Sequence, residues 1–250
     1  MSKILKKFCG IFGYKLLPKY YLKNKDYLSR LSSFNLEKII ADLVEKKIIN
    51  FLIQIGANDG ISHDHLHNVI KKFKINSLLL EPIKEHFFIL KKNYLNYKNV
   101  ELENSAMSIN NEILFLYRVN PEYFSKYGTL PSGITSFYKE HLISHGIKKK
   151  HIIQENVNQI SFVELLEKYK ISNFDLLVID TEGYDCNIVN EFFLKIKNIR
   201  PIIVFEWSHI KKDQFQETLN KMLKNNYSFF PIGDDIFCYP VEKNILLKLN

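Results

Sequence analysis

In "FNLEKIIADLVEKK", residues Leu36, Ile39, Ile40, Leu43 and Val44 fall on one face at helical spacing. The pattern then changes. "INFLIQIG" is a short, β-branched apolar run closed by Gly56, as a buried parallel strand reads. Helical spacing returns in "HDHLHNVIKKFK" through Leu66, Val69, Ile70 and Phe73, and "NSLLLEP" predicts a second buried strand closed by Glu81 and Pro82. "IKEHFFILKKNYL" predicts another helix and "NVELENSAMS" a third strand. Alternating strands and helices of this kind predict a parallel sheet with right-handed crossovers.

The middle of the chain is less periodic. "EILFLYRV" predicts a strand, but "NPEYFSKYGTLPSGITSFYKEH" mixes Pro, Gly, Ser and aromatics and is expected to form a long functional loop with one short helix. "HIIQENVNQIS" predicts a strand and "FVELLEKYK" a helix. Two further apolar strands, "FDLLVIDTEGYD" and "RPIIVFEWSH", both end in acids, with a helix over "CNIVNEFFLKI" between them. The tail predicts a helix and a terminal strand pair. We therefore expect an α/β fold: residues 35–250 as one domain, with a substrate-covering loop near 119–150, preceded by an N-terminal extension over 1–34.

Composition narrows the class. A chain of 250 residues with 46% hydrophobic and 25% charged content is an ordinary globule. The net charge is +8, but Arg30, Arg118 and Arg200 are the only arginines, which argues against base-reading contacts and so against a nucleic-acid partner. A lysine-rich surface reads equally as a compositional habit or as a match for an acidic partner. Cys9, Cys186 and Cys238 are scattered, without a C-x-x-C pair, so neither a disulfide framework nor a cysteine zinc site is predicted. No apolar run approaches the roughly 20 residues that span a bilayer. The start, "MSKILKKFCGIFGYKLLPKYY", interrupts its apolar residues with lysines. It makes a poor signal peptide, which predicts a cytoplasmic protein. This segment reads as an amphipathic stretch touching a membrane surface, or as a helix packed on the domain or on a partner chain.

In an open α/β sheet, ligands bind beyond the carboxyl ends of the strands. Those ends carry Gly56-Ala57-Asn58-Asp59-Gly60, Glu81, Asp180-Thr181-Glu182-Gly183 and Glu206. A dinucleotide fingerprint starting at Gly56 would need glycines at 58 and 61, where the chain has Asn58 and Ile61, and no P-loop is present. An acidic loop beside a strand-end carboxylate suits a ligand with a ribose and a positive charge but no pyrophosphate. S-adenosylmethionine is such a ligand.

From about residue 50 to 240 the chain resembles the FkbM family of S-adenosylmethionine-dependent methyltransferases. "IGANDG", "LLLEP", "NSAMS", "VIDTEGYD" and "IIVFEWS" carry the resemblance, in that order. It implies a Rossmann-like class I methyltransferase fold with a mostly parallel seven-stranded sheet and helices on both faces. It also implies that Gly56, Ala57, Asn58 and Gly60 surround the methionine portion, that Glu81 holds the ribose, and that Ser105 and Ala106 lie by the adenine. Gln54 stands where family members often have an aspartate, so one acidic anchor for the methionine amine is missing.

Asp180, Glu182 and His209 are the candidate catalytic groups, each able to take a proton from an attacking hydroxyl. Asp180, Glu206 and His209 are also candidate ligands for a divalent metal, with mixed carboxylate and imidazole donors suiting Mn or Fe, and Mg if water completes the shell. Thr135, Ser136 and Tyr138 are the candidate acceptor contacts. The resemblance implies O-methylation of a sugar hydroxyl, on a nucleotide-linked or surface-glycan carbohydrate. A nicotinamide-linked oxidoreductase and a non-catalytic binding module are the alternatives.

Overall fold

The computed structural model describes residues 35–62, 64–109, 115–128, 131 and 133–248. The expected N-terminal extension, residues 1–34, lies outside them, as do three positions of the 119–150 segment. In chain order the helices are α1 (Leu36–Glu45), α2 (His67–Phe73), α3 (Lys84–Asn93), α4 (Lys139–Ser144), α5 (Phe162–Lys168), α6 (Asp185–Lys195) and α7 (Lys212–Lys224). The strands are β1 (Phe51–Ile55), β2 (Asn76–Leu80), β3 (Val100–Glu103), β4 (Ala106–Met107), β5 (Phe115–Val119), β6 (Thr135–Ser136), β7 (Ile152–Asn156), β8 (Gln159–Ile160), β9 (Leu176–Ile179), β10 (Ile202–Glu206), β11 (Tyr227–Ile232) and β12 (Asp235–Pro240). Among the described residues no helix is long and apolar enough to cross a membrane.

Seven strands form one sheet in the order β11-β12-β10-β9-β1-β2-β3. Neighbours are parallel from β10 through β9, β1 and β2 to β3, whereas β12 runs antiparallel to both β10 and β11. Because side chains alternate across a strand, the central strands feed two cores. Leu52, Leu79, Leu176 and Val204 pack with Ile40 and Leu43 of α1, Val69 and Ile70 of α2, and Leu90 of α3. Ile53, Leu78, Leu177 and Phe205 pack on the other face with Leu165 of α5, Val189 and Phe192 of α6, and Met222 of α7. This is the Rossmann-like arrangement expected from the sequence, a mostly parallel seven-stranded sheet covered on both faces.

Two expectations need correction. "NVELENSAMS" is not one strand: β3 stops at Glu103, whose buried carboxylate accepts Ser105 Oγ (2.6 Å), Tyr169 OH (2.8 Å) and Lys168 Nζ (2.5 Å). Asn104 Nδ2 then donates to the carbonyls of Glu81 and Pro82 at 2.8 and 3.1 Å. This bends the chain across the sheet edge, and Ala106–Met107 pairs with β8 instead.

The segment 119–150 is not an open loop either. It holds a 3-10 turn over Pro121–Lys126, then β6 and α4, and β6-β5-β7 make a small antiparallel sheet. Val119, Ile134, Leu142, Ile147 and Ile152 give this cap its own core. Arg118 of β5 ties it to α3 of the main domain through Glu85 (3.0 Å) and, within the cap sheet, meets Glu155 of β7.

Candidate functional site

The strand order sets the carboxyl edge of the sheet: Glu81 follows β2, Gly56 follows β1, Asp180 follows β9, and Glu206 ends β10. After β1 the chain turns toward its neighbour, with the amides of Gly56 and Ala57 both donating to Leu80 O at 3.0 and 2.8 Å. Gly56 has φ +87°, and a Cβ there would lie 1.8 Å from the backbone oxygen of Asp180. Only glycine lets the β1 and β9 ends approach this closely. Asn58 also has positive φ (+48°), and its N–H donates to Glu81 Oε2 at 2.9 Å. Asp59 shapes the turn, accepting from the amides of Ile61 and Ser62 and from Ser62 Oγ.

A cavity of about 340 Å³ opens between this edge and the cap. Gln54, Gly56, Ala57, Asn58, Glu81, Ser105 and Ala106 line it, and so do Asp180, Glu182, His209 and Thr135. Gly60 does not. Its φ is +74°, and a Cβ there would press on Leu90 Cδ1 and Tyr94 Cε2 at 2.5 and 2.6 Å. It is a packing glycine against α3, and its expected place around the methionine portion is corrected accordingly. Ser136 and Tyr138 are also absent from the wall. Ser136 is fully buried and its Oγ donates to Glu182 O at 2.7 Å, while the Tyr138 hydroxyl accepts from Asn187 Nδ2 at 2.8 Å. Both hold the cap in place. Thr135 Oγ1, by contrast, is buried without a partner among the described residues.

Glu81 accepts from the amides of Asn58 and Ile83, and burial pushes its carboxyl up to about 7. Each oxygen keeps a second acceptor site, and the residue lines the cavity. His86, not anticipated from the sequence, sits beside it with Nδ1 3.9 Å from Glu81 Oε1, and its pKa is lowered by desolvation. Gln54 stands beside an acid from further along the chain, Asp64. Gln54 Nε2 donates to Asp64 Oδ1 at 3.3 Å, while Gln54 Oε1 and Asp64 Oδ2 are both buried without partners. Desolvation raises the Asp64 carboxyl above its usual range, and both residues line the cavity. Asp64 stands ten residues downstream of Gln54, in a helix start, where no strand-end rule points to it.

On the β9 side, Asp180 is open to the cavity yet walled by protein. Desolvation, with the charges of Asp185, Glu182, Glu206 and Asp235, raises its carboxyl well above the usual range. Its carboxylate has no side-chain hydrogen-bond partner among the described residues. Asp185 explains the last acid of "IDTEGYD". Fully buried at the start of α6, it accepts Thr181 Oγ1 and Gly183 N, both at 3.1 Å, and folds the loop back. Burial pushes it up to about 7. Between them Glu182 adopts φ +53°, a strained conformation for glutamate, and its Oε2 meets His141 Nε2 at 2.8 Å. His209 Nε2 lies 3.2 Å from Glu206 Oε1 and 3.9 Å from Glu182 Oε2. Glu182, Glu206 and His209 bring donor atoms within 4.8 Å of one another, and so do His141, His145 and His209. Asp180 joins neither group. It follows β9 and lines the cavity, whereas Glu182, two residues on, has a left-handed backbone and meets the histidines. The expected metal set is corrected by that exchange.

Residues 54–229 match the family model described as the methyltransferase FkbM domain. No protein of curated function matches the chain significantly. Among solved structures, an O-methyltransferase from Bacillus cereus in complex with SAH is 12% identical with a TM-score of 0.43, covering 95% of this chain and 97% of its own. The ribosomal protein L11 methylase of Lactobacillus delbrueckii subsp. bulgaricus is 10% identical with a TM-score of 0.39, covering 80% and 74%. A precorrin-6y C5,15-methyltransferase from Geobacter metallireducens is 11% identical with a TM-score of 0.39, covering 81% and 84%. These structural likenesses are loose, and the family assignment rests on the family model.

Proposed function

Because the chain belongs to the FkbM methyltransferase family, which uses S-adenosylmethionine, we propose that it moves the cofactor's methyl group to a hydroxyl of a sugar, on a nucleotide-linked or surface-glycan carbohydrate. One observation carries the hydroxyl: a single cavity has the acceptor-rich Glu81 at one end and the unpartnered, proton-avid Asp180 at the other. The residues fit the cofactor. Glu81 has free lone pairs for the ribose diol, and the orphaned Gln54 Oε1 and Asp64 Oδ2 form a small acidic cradle for the methionine ammonium. Ser105 and Ala106 stand at the β3–β4 bend, where the adenine would lie.

The chemistry is a displacement. The acceptor oxygen forms a bond to the methyl carbon as the carbon–sulfur bond breaks, and that electron pair stays on sulfur. The hydroxyl proton passes to Asp180. The enzyme's share is alignment of the two reactants, and the sulfonium charge favours ionised Asp180 just where a base is needed. Thr135 and Phe137 face the same space from the cap and would contact the acceptor. The absence of glycine at 58 and 61 disfavours the nicotinamide alternative.

The test is methyl-labelled S-adenosylmethionine incubated with nucleotide sugars and oligosaccharides, and in parallel with amine and thiol acceptors, read by mass spectrometry. Label in an alkali-stable sugar ether, absent with Asp180→Asn, supports the reading. Transfer only to nitrogen or sulfur acceptors would overturn it.

A further inference from the structure

Where the same cavity meets the cap, the geometry points to a divalent transition-metal site built from His141, His145, His209 and Glu182. The three imidazole rings meet at centroid distances of 4.5, 4.6 and 5.1 Å, and one nitrogen of each lies within 4.8 Å of the others. Ligands about 2.0–2.1 Å from a tetrahedral ion stand roughly 3.4 Å apart, so closing on a cation requires only small side-chain adjustments. Glu182 Oε2 is already 2.8 Å from His141 Nε2 and 3.9 Å from His209 Nε2. His145 turns Nδ1 to the carbonyl of His141 at 2.9 Å, which leaves Nε2 for a ligand. A second-shell bond of this kind fixes the tautomer of a metal-binding histidine.

Charge points the same way. Glu182 and Glu206 lie side by side in a partly buried site, and among the described residues their ion pairs are to histidines alone, with no lysine or arginine. A doubly charged cation would balance the two carboxylates and leave the imidazoles neutral. Three imidazoles with one carboxylate favour zinc, cobalt, nickel or ferrous iron over magnesium; iron is common to this set and to the one expected from Asp180, Glu206 and His209, and magnesium is not.

The strand order gives the site a role. It lies on the β9–β10 side, while the ribose acid lies on β2, so the ion would stand at the acceptor end of the cavity. Its chemistry would be to lower the pKa of an acceptor hydroxyl whose proton Asp180 then takes. That role rests on the proposed O-methylation, but metal binding does not.

The experiment titrates untagged, metal-stripped protein with Co²⁺ and follows its visible absorption, with Zn²⁺ as competitor. We expect intense nitrogen-ligated bands that saturate at one equivalent and are displaced by zinc. His141→Ala, His209→Ala and the near-isosteric Glu182→Gln should each weaken or abolish them, and exposed His65→Ala should not. Retained S-adenosylhomocysteine binding verifies that each variant is folded. No saturable bands in the wild type, or unchanged bands in all three site variants, would overturn the site. If cobalt binds while sugar ethers fail to form, the metal site stands and the acceptor assignment falls.

Discussion

Glu81 holds the backbone N–H of Asn58 at 2.9 Å, so the carboxylate that ends β2 also fixes the left-handed residue of the loop after β1. One side chain thus shapes the loop after β1 and, under the proposed function, would also offer acceptors to the ribose. Glu81→Ala removes charge-assisted hydrogen bonds of about 1.5–3 kcal/mol, so S-adenosylhomocysteine affinity should fall about 10- to 100-fold. Competition binding measures this, with thermal unfolding to separate it from misfolding.

The same carboxyl predicts a pH dependence. Its folded pKa is raised by burial to about 7 from an ordinary 4.5. Ribose hydroxyls and a sulfonium favour the ionised form, so protonation competes with the ligand. Cofactor affinity should rise from about pH 6 to about pH 8 and then level off, and Glu81→Gln should reduce that rise. For stability the sign is opposite. The unfolded chain releases this proton first, so Glu81's contribution falls as pH climbs from 4.5 to about 7 and is constant above it. Chemical denaturation across that window checks the slope.

Two glycines four residues apart should behave differently. Gly56→Ala forces a Cβ into the Asp180 carbonyl, a backbone collision that no rotamer relieves. It should cost at least about 2–3 kcal/mol and abolish cofactor binding. Gly60→Ala meets the ends of Leu90 and Tyr94. It should cost about 1–3 kcal/mol while leaving the affinity of the folded protein within a few-fold. Denaturant melts with parallel binding curves separate the two.

Asp180 should matter to the reaction and little to cofactor retention. Asp180→Asn keeps shape and removes the base, so kcat should drop by about 10²–10⁴ with S-adenosylhomocysteine binding nearly unchanged. Rapid-mixing turnover beside equilibrium binding tests the split.

Much of this was legible in the sequence where burial is uniform. β1, β9 and β10 are short, largely apolar runs packed on both faces, and each is closed by a glycine or acid at the sheet's carboxyl edge. Glu81 could be found from its strand end alone. The cap could not, because β6 is two residues long and α4 six, too short to show a period, and their core forms by packing on one another. Asp64, His86, His141 and His145 reach the cavity or the histidine cluster beside it from helix starts and cap turns, where no spacing rule links them to Gln54, Glu81 or His209. Gly60 misled for the reverse reason: a glycine that makes room for Tyr94 reads the same as one that makes room for a ligand.

The most direct test of the central claim is calorimetric titration of S-adenosylhomocysteine into the purified protein, with NAD as comparator. The account predicts saturable, roughly micromolar, one-to-one binding of S-adenosylhomocysteine, weakened by Glu81→Ala, and no comparable heat from NAD. Tight binding of NAD with none of S-adenosylhomocysteine would contradict it.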